Sequence, residues 1–115
     1  MTPLQWHLYV VDLEPRVGTK PGKQRPALAI QPSEFGEAGL GSTVIIPINT
    51  RIVDGDAFPL RVRIPKDTTA LKQPSDLLID QVLAWDNTLF RRELGGVSDE
   101  LREKVKDALR EFLDL

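Results

Sequence analysis

Apolar and polar positions change rhythm along the chain. Over the first two thirds, short apolar, β-branched runs are broken by proline and glycine. Residues 6–13, 26–31, 44–49, 58–64 and 77–83 each have the length and composition of a strand. The fourth run alternates most cleanly, with Phe58, Leu60, Val62 and Ile64 predicted on one face and Arg61 and Arg63 on the other. Pro47 sits inside the third run and donates nothing to a ladder, which predicts a bulge or an edge strand. All nine prolines lie between Pro3 and Pro74. Beyond them the period becomes helical. Ser98 is an N-cap residue, Asp99 and Glu100 suit the positive end of a helix dipole, and Leu101, Val105, Ala108, Leu109, Phe112 and Leu113 recur at helical spacing. Gly95-Gly96 reads as the turn before this helix. Residues 32–43, with three glycines and two glutamates, read as a mobile loop. Five short strands closed by a terminal helix predict a mainly β fold with a C-terminal helix, a small barrel or half-barrel forming one domain over residues 1–115.

Composition narrows the chemistry more than the fold. The 115 residues contain no cysteine, which removes disulfides, thiol nucleophiles, zinc-thiolate sites and iron–sulfur clusters. The single histidine, His7, excludes mechanisms that need two from one chain. No P-loop, dinucleotide fingerprint or Gly-x-Ser-x-Gly elbow is present. No apolar run approaches the roughly 20 residues that span a bilayer. The N-terminus lacks the basic stretch and apolar region of a secretory leader, so a cytoplasmic location is expected.

Charge is unevenly placed. The formal net charge is −2, yet Arg16, Lys20, Lys23 and Arg25 follow one another with no acid between them. Arg51, Arg61, Arg63, Lys66 and Lys72 form a second basic stretch, diluted by aspartates. A basic loop containing glycine and proline on an otherwise acidic chain is either a phosphate-contact surface or a solvated loop. Overall acidity argues against nonspecific duplex binding, whose affinity grows with the number of neutralised phosphates. It leaves room for a short single strand in a local groove.

One ordered set of residues is more specific. Val11-Asp12-Leu13-Glu14-Pro15, then Gly18-x-x-x-Gly22-x-x-Arg25-Pro26 running into Ala27-Leu28-Ala29-Ile30, resembles the opening of the MazF/PemK/Kid toxins. Ile46-Pro47-Ile48-Asn49-Thr50-Arg51-Ile52, Leu77-Leu78-Ile79-Asp80-Gln81-Val82, Asp86 and the terminal helix follow in the same order, so the resemblance spans essentially the whole chain. It implies a compact SH3-like barrel that forms a homodimer. It implies an endoribonuclease that cuts single-stranded RNA independently of ribosomes and needs no metal or other cofactor. It also implies an antitoxin partner whose disordered acidic tail fills the RNA groove. The attributed reaction is attack of the RNA 2′-hydroxyl on the adjacent phosphate, leaving a 2′,3′-cyclic phosphate and a 5′-hydroxyl.

The resemblance assigns residues as well. Arg25 matches the family's catalytic arginine. Its planar fork meets two phosphate oxygens at once, and a guanidinium is a poor general acid or base, which makes charge stabilisation its role. Aligned on Pro47 and Arg51-Ile52, the family's threonine position holds Asn49, and Thr50 follows it. Asparagine donates a hydrogen bond but does not relay a proton. Either Asn49 clamps the phosphate, or Thr50 takes over, or activity is weakened. Lys20, Lys23, Gln24, Arg51 and Gln81 are candidate RNA contacts, and Gln81 alternatively pins the basic loop. Lys20 replaces an acid common at that place, and Trp6-His7 replaces a common Gly-Asp. His7 reads as a structural residue at a strand start. Trp85 and Phe90 read as core or interface rather than base-stacking residues, and Asp54 and Asp56 as a turn. Leu109, Phe112 and Leu113 read as core or as a docking platform. The alternative is a member of the same fold that acts by protein binding, to an antitoxin or a topoisomerase, without cleavage. The RNA motif cut is not legible from one chain.

Overall fold

The protein is described by a computed structural model covering residues 1–15, 18–19, 23–65 and 71–115. Seven antiparallel strands occur among these residues: β1 (His7–Asp12), β2 (Gln24–Ala29), β3 (Ser42–Asn49), β4 (Arg61–Ile64), β5 (Ser75–Leu78), β6 (Leu83–Asp86) and β7 (Phe90–Gly96). Helix α1 (Ser33–Glu37) follows β2, and α2 (Asp99–Leu113) ends the chain. The strand path is β4-β5-β3-β2-β1-β7, with β6 added beside β3. The result is a mainly β structure, one seven-stranded antiparallel sheet carrying a C-terminal helix, as the sequence predicts.

Strands β1 to β3 are buried on both faces. On one face Leu8, Leu28, Ile46 and Ile48 join Val62, Ile64 and Leu77, and α2 closes this cluster with Leu101, Val105 and Ala108. On the other, Tyr9, Val11, Ala27, Ala29 and Ile45 pack with Phe90, and Leu83 and Trp85 border them. Two-sided burial explains why these segments read as continuous apolar runs rather than strict alternations. Helix α2 starts where Ser98 caps it, its hydroxyl accepting the Leu101 N–H at 3.1 Å.

Several expectations need correction. Pro47 makes neither a bulge nor an edge. β3 pairs with β6 from Ser42 to Ile45 and with β5 at Ile48 and Asn49, so the residue without an N–H falls where β3 changes partners. The 58–64 run is a strand only from Arg61. Asp56 accepts the Phe58 N–H at 3.0 Å, a turn joins Leu60 to Ala57, and Phe58 and Leu60 face solvent. The 77–83 run is split by a single 3-10 turn at Ile79–Gln81. Residues 32–43 are not an irregular loop throughout, because α1 occupies their first half and β3 begins at Ser42. Gly95-Gly96 belongs to β7, where Gly95 has φ +113 beside a register shift between Leu8 and Tyr9 on β1. That glycine marks a bulge, not the end of a strand. Leu109 is partly buried, whereas Phe112 and Leu113 are exposed and lie outside the core.

Candidate active site

Strand alternation sorts the candidate residues by face. In β2, Ala27 and Ala29 point into the cluster around Tyr9, so Arg25, two residues earlier, lies on that same face opposite Val11 of β1. β2 and β3 pair from Ala29–Ile45 to Ala27–Pro47, and Asn49 is one step further along the face of Ile45 and Pro47. The ladder stops there because Pro26 has no N–H to continue it. Arg25 and Asn49 therefore end neighbouring strands on one face. Arg25 is half-buried, and Asn49 likewise.

Asn49 is not a free amide. Its Oδ1 accepts the Arg51 N–H at 2.9 Å, closing an Asx turn at the end of β3. The oxygen is thus occupied, and the rotamer that binds it sets the direction of the Nδ2 donor. Thr50 and Arg51, exposed, ride on this turn. Thr50 lines a different hollow from Arg25, a cavity of about 370 Å³ shared with Gln24, Pro26, Lys72 and Arg92. Gln24 and Arg25 are consecutive in β2 and so face opposite ways. The geometry thus joins Arg25 with Asn49, and Thr50 with Gln24, rather than placing all four in one cluster.

Lys23 stands at the close of the basic loop with φ +63, its N–H donated to the Glu14 carboxylate and its carbonyl accepting the Leu13 N–H at 2.8 Å. Lys20 lies outside the described residues. Gln81 sits in the 3-10 turn and not in a strand, and its Nε2 donates to the Thr19 hydroxyl at 3.3 Å. His7 starts β1 and pairs through Nδ1 with the Glu93 carboxylate on β7. Phe90 is buried edge-on against Tyr9, and half-buried Trp85 borders the same cluster and donates its indole N–H to the Asp12 carbonyl at 2.7 Å. Asp56 closes a turn, and no cluster of three metal-ligating side chains occurs among the described residues.

Sequence reasoning missed Gln73 and Arg92, which line the Thr50 cavity, and named Lys72 only as part of a charge run. Arg92 belongs to β7, a strand whose burial is confined mostly to Phe90, Leu94 and Gly95. Recognising that strand would have placed Arg92 opposite Val10.

The model of the "PemK-like, MazF-like toxin of type II toxin-antitoxin system" family matches residues 4–113. The chain belongs to that family. Among similar curated proteins, Endoribonuclease MazF6 of Mycobacterium tuberculosis is 31% identical over 110 residues, covering 94% of both chains. The crystal structure of MazF from Deinococcus radiodurans superposes with a TM-score of 0.83 at 22% identity, covering 100% of this chain and 99% of that one. A MazE–MazF structure from the same organism gives 0.76 at 22% identity, covering 100% and 98%. At such identities the two structures establish the fold, and this PemK-like, MazF-like chain shares it over its full length.

Proposed function

We propose that this protein is the toxin of a type II toxin–antitoxin pair and cleaves single-stranded RNA as an endoribonuclease. The observation that carries the reading is the placement of Arg25 and Asn49 on one face at the end of a basic loop. The RNA supplies its own nucleophile. Its 2′-hydroxyl gives up its proton to water as the oxygen bonds to the adjacent phosphorus, the bond to the 5′-oxygen breaks, and that oxygen takes up a proton from water. The products are a 2′,3′-cyclic phosphate and a 5′-hydroxyl. Arg25 offsets the charge that builds on the phosphorane, where a preorganised cation is worth most. Asn49 donates its Nδ2 hydrogens to a phosphate oxygen, the role open to an amide whose oxygen is already bound. Thr50, Gln24, Lys23 and Arg51, with Lys72 and Arg92, bind the flanking nucleotides, and Lys20 joins them from the basic loop. Gln81 acts by holding Thr19. A homodimer, an antitoxin with a disordered acidic tail and a cytoplasmic site of action complete the reading.

One observation favours the non-catalytic alternative. Asn49 cannot move a proton, so the site lacks the hydroxyl that the family pattern carries there. Incubating the purified protein with a long natural RNA in EDTA, beside Arg25→Ala, decides between the two. Cleavage at a recurring motif with 5′-hydroxyl ends, reduced about 10²–10³-fold in the variant, is expected. A folded protein, free of antitoxin, that leaves RNA of diverse sequence intact would establish the binding reading.

A further inference from the structure

The face that carries Asn49 continues into the sheet interior. Asn49 is opposite Asp76 of β5, and Asp76 is opposite Arg63 of β4. Paired residues share a face, so Arg63, Asp76 and Asn49 form a row, with Arg25 one step past the end of the β2–β3 ladder. The inner end of this row is a closed set of bonds. Asp76 is 1% exposed. Its Oδ1 accepts Arg63 Nε–H at 2.6 Å, and its Oδ2 accepts the Val53 N–H at 3.0 Å. Arg63 Nη2 then donates to the Val53 carbonyl at 2.6 Å. Both backbone groups of Val53 are held by the two side chains.

Among the described residues, and beyond the Arg51 bond to Asn49 at its start, residues 50–56 make hydrogen bonds to another element only at Val53. A cavity of about 200 Å³ borders the segment, lined by Val53, Gly55, Ala57, Arg61, Arg63 and Asp76. A carboxylate this buried survives only when its acceptors are filled, and here Arg63 fills one and the segment that leaves Asn49 fills the other.

We propose that Asp76 and Arg63 are positioning residues: by gripping Val53 they fix the turn at Arg51, and through that turn's bond to Asn49 they aim the Asn49 amide beside Arg25. The proposal rests on the reading of Arg25 and Asn49 given above. A misplacement of about 1 Å in such a constellation costs on the order of 100-fold in rate.

The test compares the parent with Arg63→Met/Asp76→Leu, cutting a defined RNA oligonucleotide that carries the parent's mapped motif. Replacing both charges with apolar groups of similar volume keeps the fold, because buried ion pairs are often exchanged without loss of stability. The expected double variant melts like the parent, exchanges the Val53 amide faster, and loses about 100-fold in kcat with KM within about threefold. A merely structural role would shift melting and leave kcat unchanged at a temperature where both proteins are fully folded. Parent-like kcat in the folded double variant overturns the proposal. If the double variant does not fold, Asp76→Asn decides by the same criterion. Its side chain offers one acceptor where the carboxylate offers two, so one of the two contacts is lost with little change in shape. A parent that cuts no RNA overturns the reading of the site itself, and this proposal with it.

Discussion

The ion pairs of α2 and those of the β4–β5 hairpin use the same side chains in opposite ways. On α2, Arg102–Asp99, Lys106–Glu103 and Arg110–Asp107 stand 3.4, 3.7 and 3.0 Å apart at helical spacing, open to solvent. On the hairpin, Arg63 meets an Asp76 that water does not reach, and Arg61 pairs with a half-buried Asp80. The first set is formed by local geometry and is worth little, since water solvates the separated charges almost as well. Within the second, Arg63 and Asp76 hold Val53, well outside the hairpin in sequence, and breaking that pair strands a charge. Charge content alone does not distinguish the two. Burial does.

The sharpest way to break the comparison is Arg63→Met. It leaves Asp76 without its cation and is expected to lower stability by about 2–3 kcal/mol by urea unfolding. That is less than a fully buried pair would lose, because the Arg63 side chain keeps 35% exposure and water can enter the neighbouring cavity.

Tyr9→Phe extends the contrast to a neutral buried group. The Tyr9 hydroxyl accepts the Leu4 N–H at 2.8 Å, and its loss is expected to cost roughly 1–2 kcal/mol. Burial also pushes the Tyr9 phenol above its ordinary 10.0. A raised folded-state value means that the contribution is fully present below pH 10 and is lost as pH rises through the folded value. An alkaline stability profile should therefore fall less steeply in Tyr9→Phe than in the parent.

Ser98→Ala removes the cap of α2 and is expected to cost about 1 kcal/mol in thermal or urea unfolding. Arg110→Ala should change stability by less than about 0.5 kcal/mol, and by nothing measurable in 1 M salt, where the Debye length falls to about 3 Å. An Arg110→Ala effect equal to that of Arg63→Met would dissolve the distinction.

Legibility followed the same division. The helix was readable to its cap, because Ser98, the acidic first turn and the spacing of Leu101, Val105 and Ala108 are local signals. Strands β1 to β3 were readable because burial on both faces left continuous apolar runs. β7 was not, since Arg91, Arg92 and Glu93 are exposed and its Gly95 serves a bulge. Phe58 and Leu60 imitated a strand face through alternation alone, while the Asp56 side chain and the turn at Ala57 bent the chain away. Arg25 was found through its motif, and Asn49 through its departure from one. That the Asn49 oxygen belongs to the backbone of Arg51 was not visible, because an asparagine after a strand suits a turn or a ligand equally well.

The sequence by itself determined which segments extend and which coil, where the basic loop lies, and that no thiol and no pair of histidines from one chain takes part in chemistry. These depend on residue identity and on short periods. The tertiary structure alone decided that Arg25 shares a face with Asn49 while Thr50 lines a hollow with Gln24, and that Arg63 and Asp76 close on Val53. The period of a strand says that neighbours face apart. Which face meets which partner is settled by register, and register is set by burying two apolar clusters across all the strands at once.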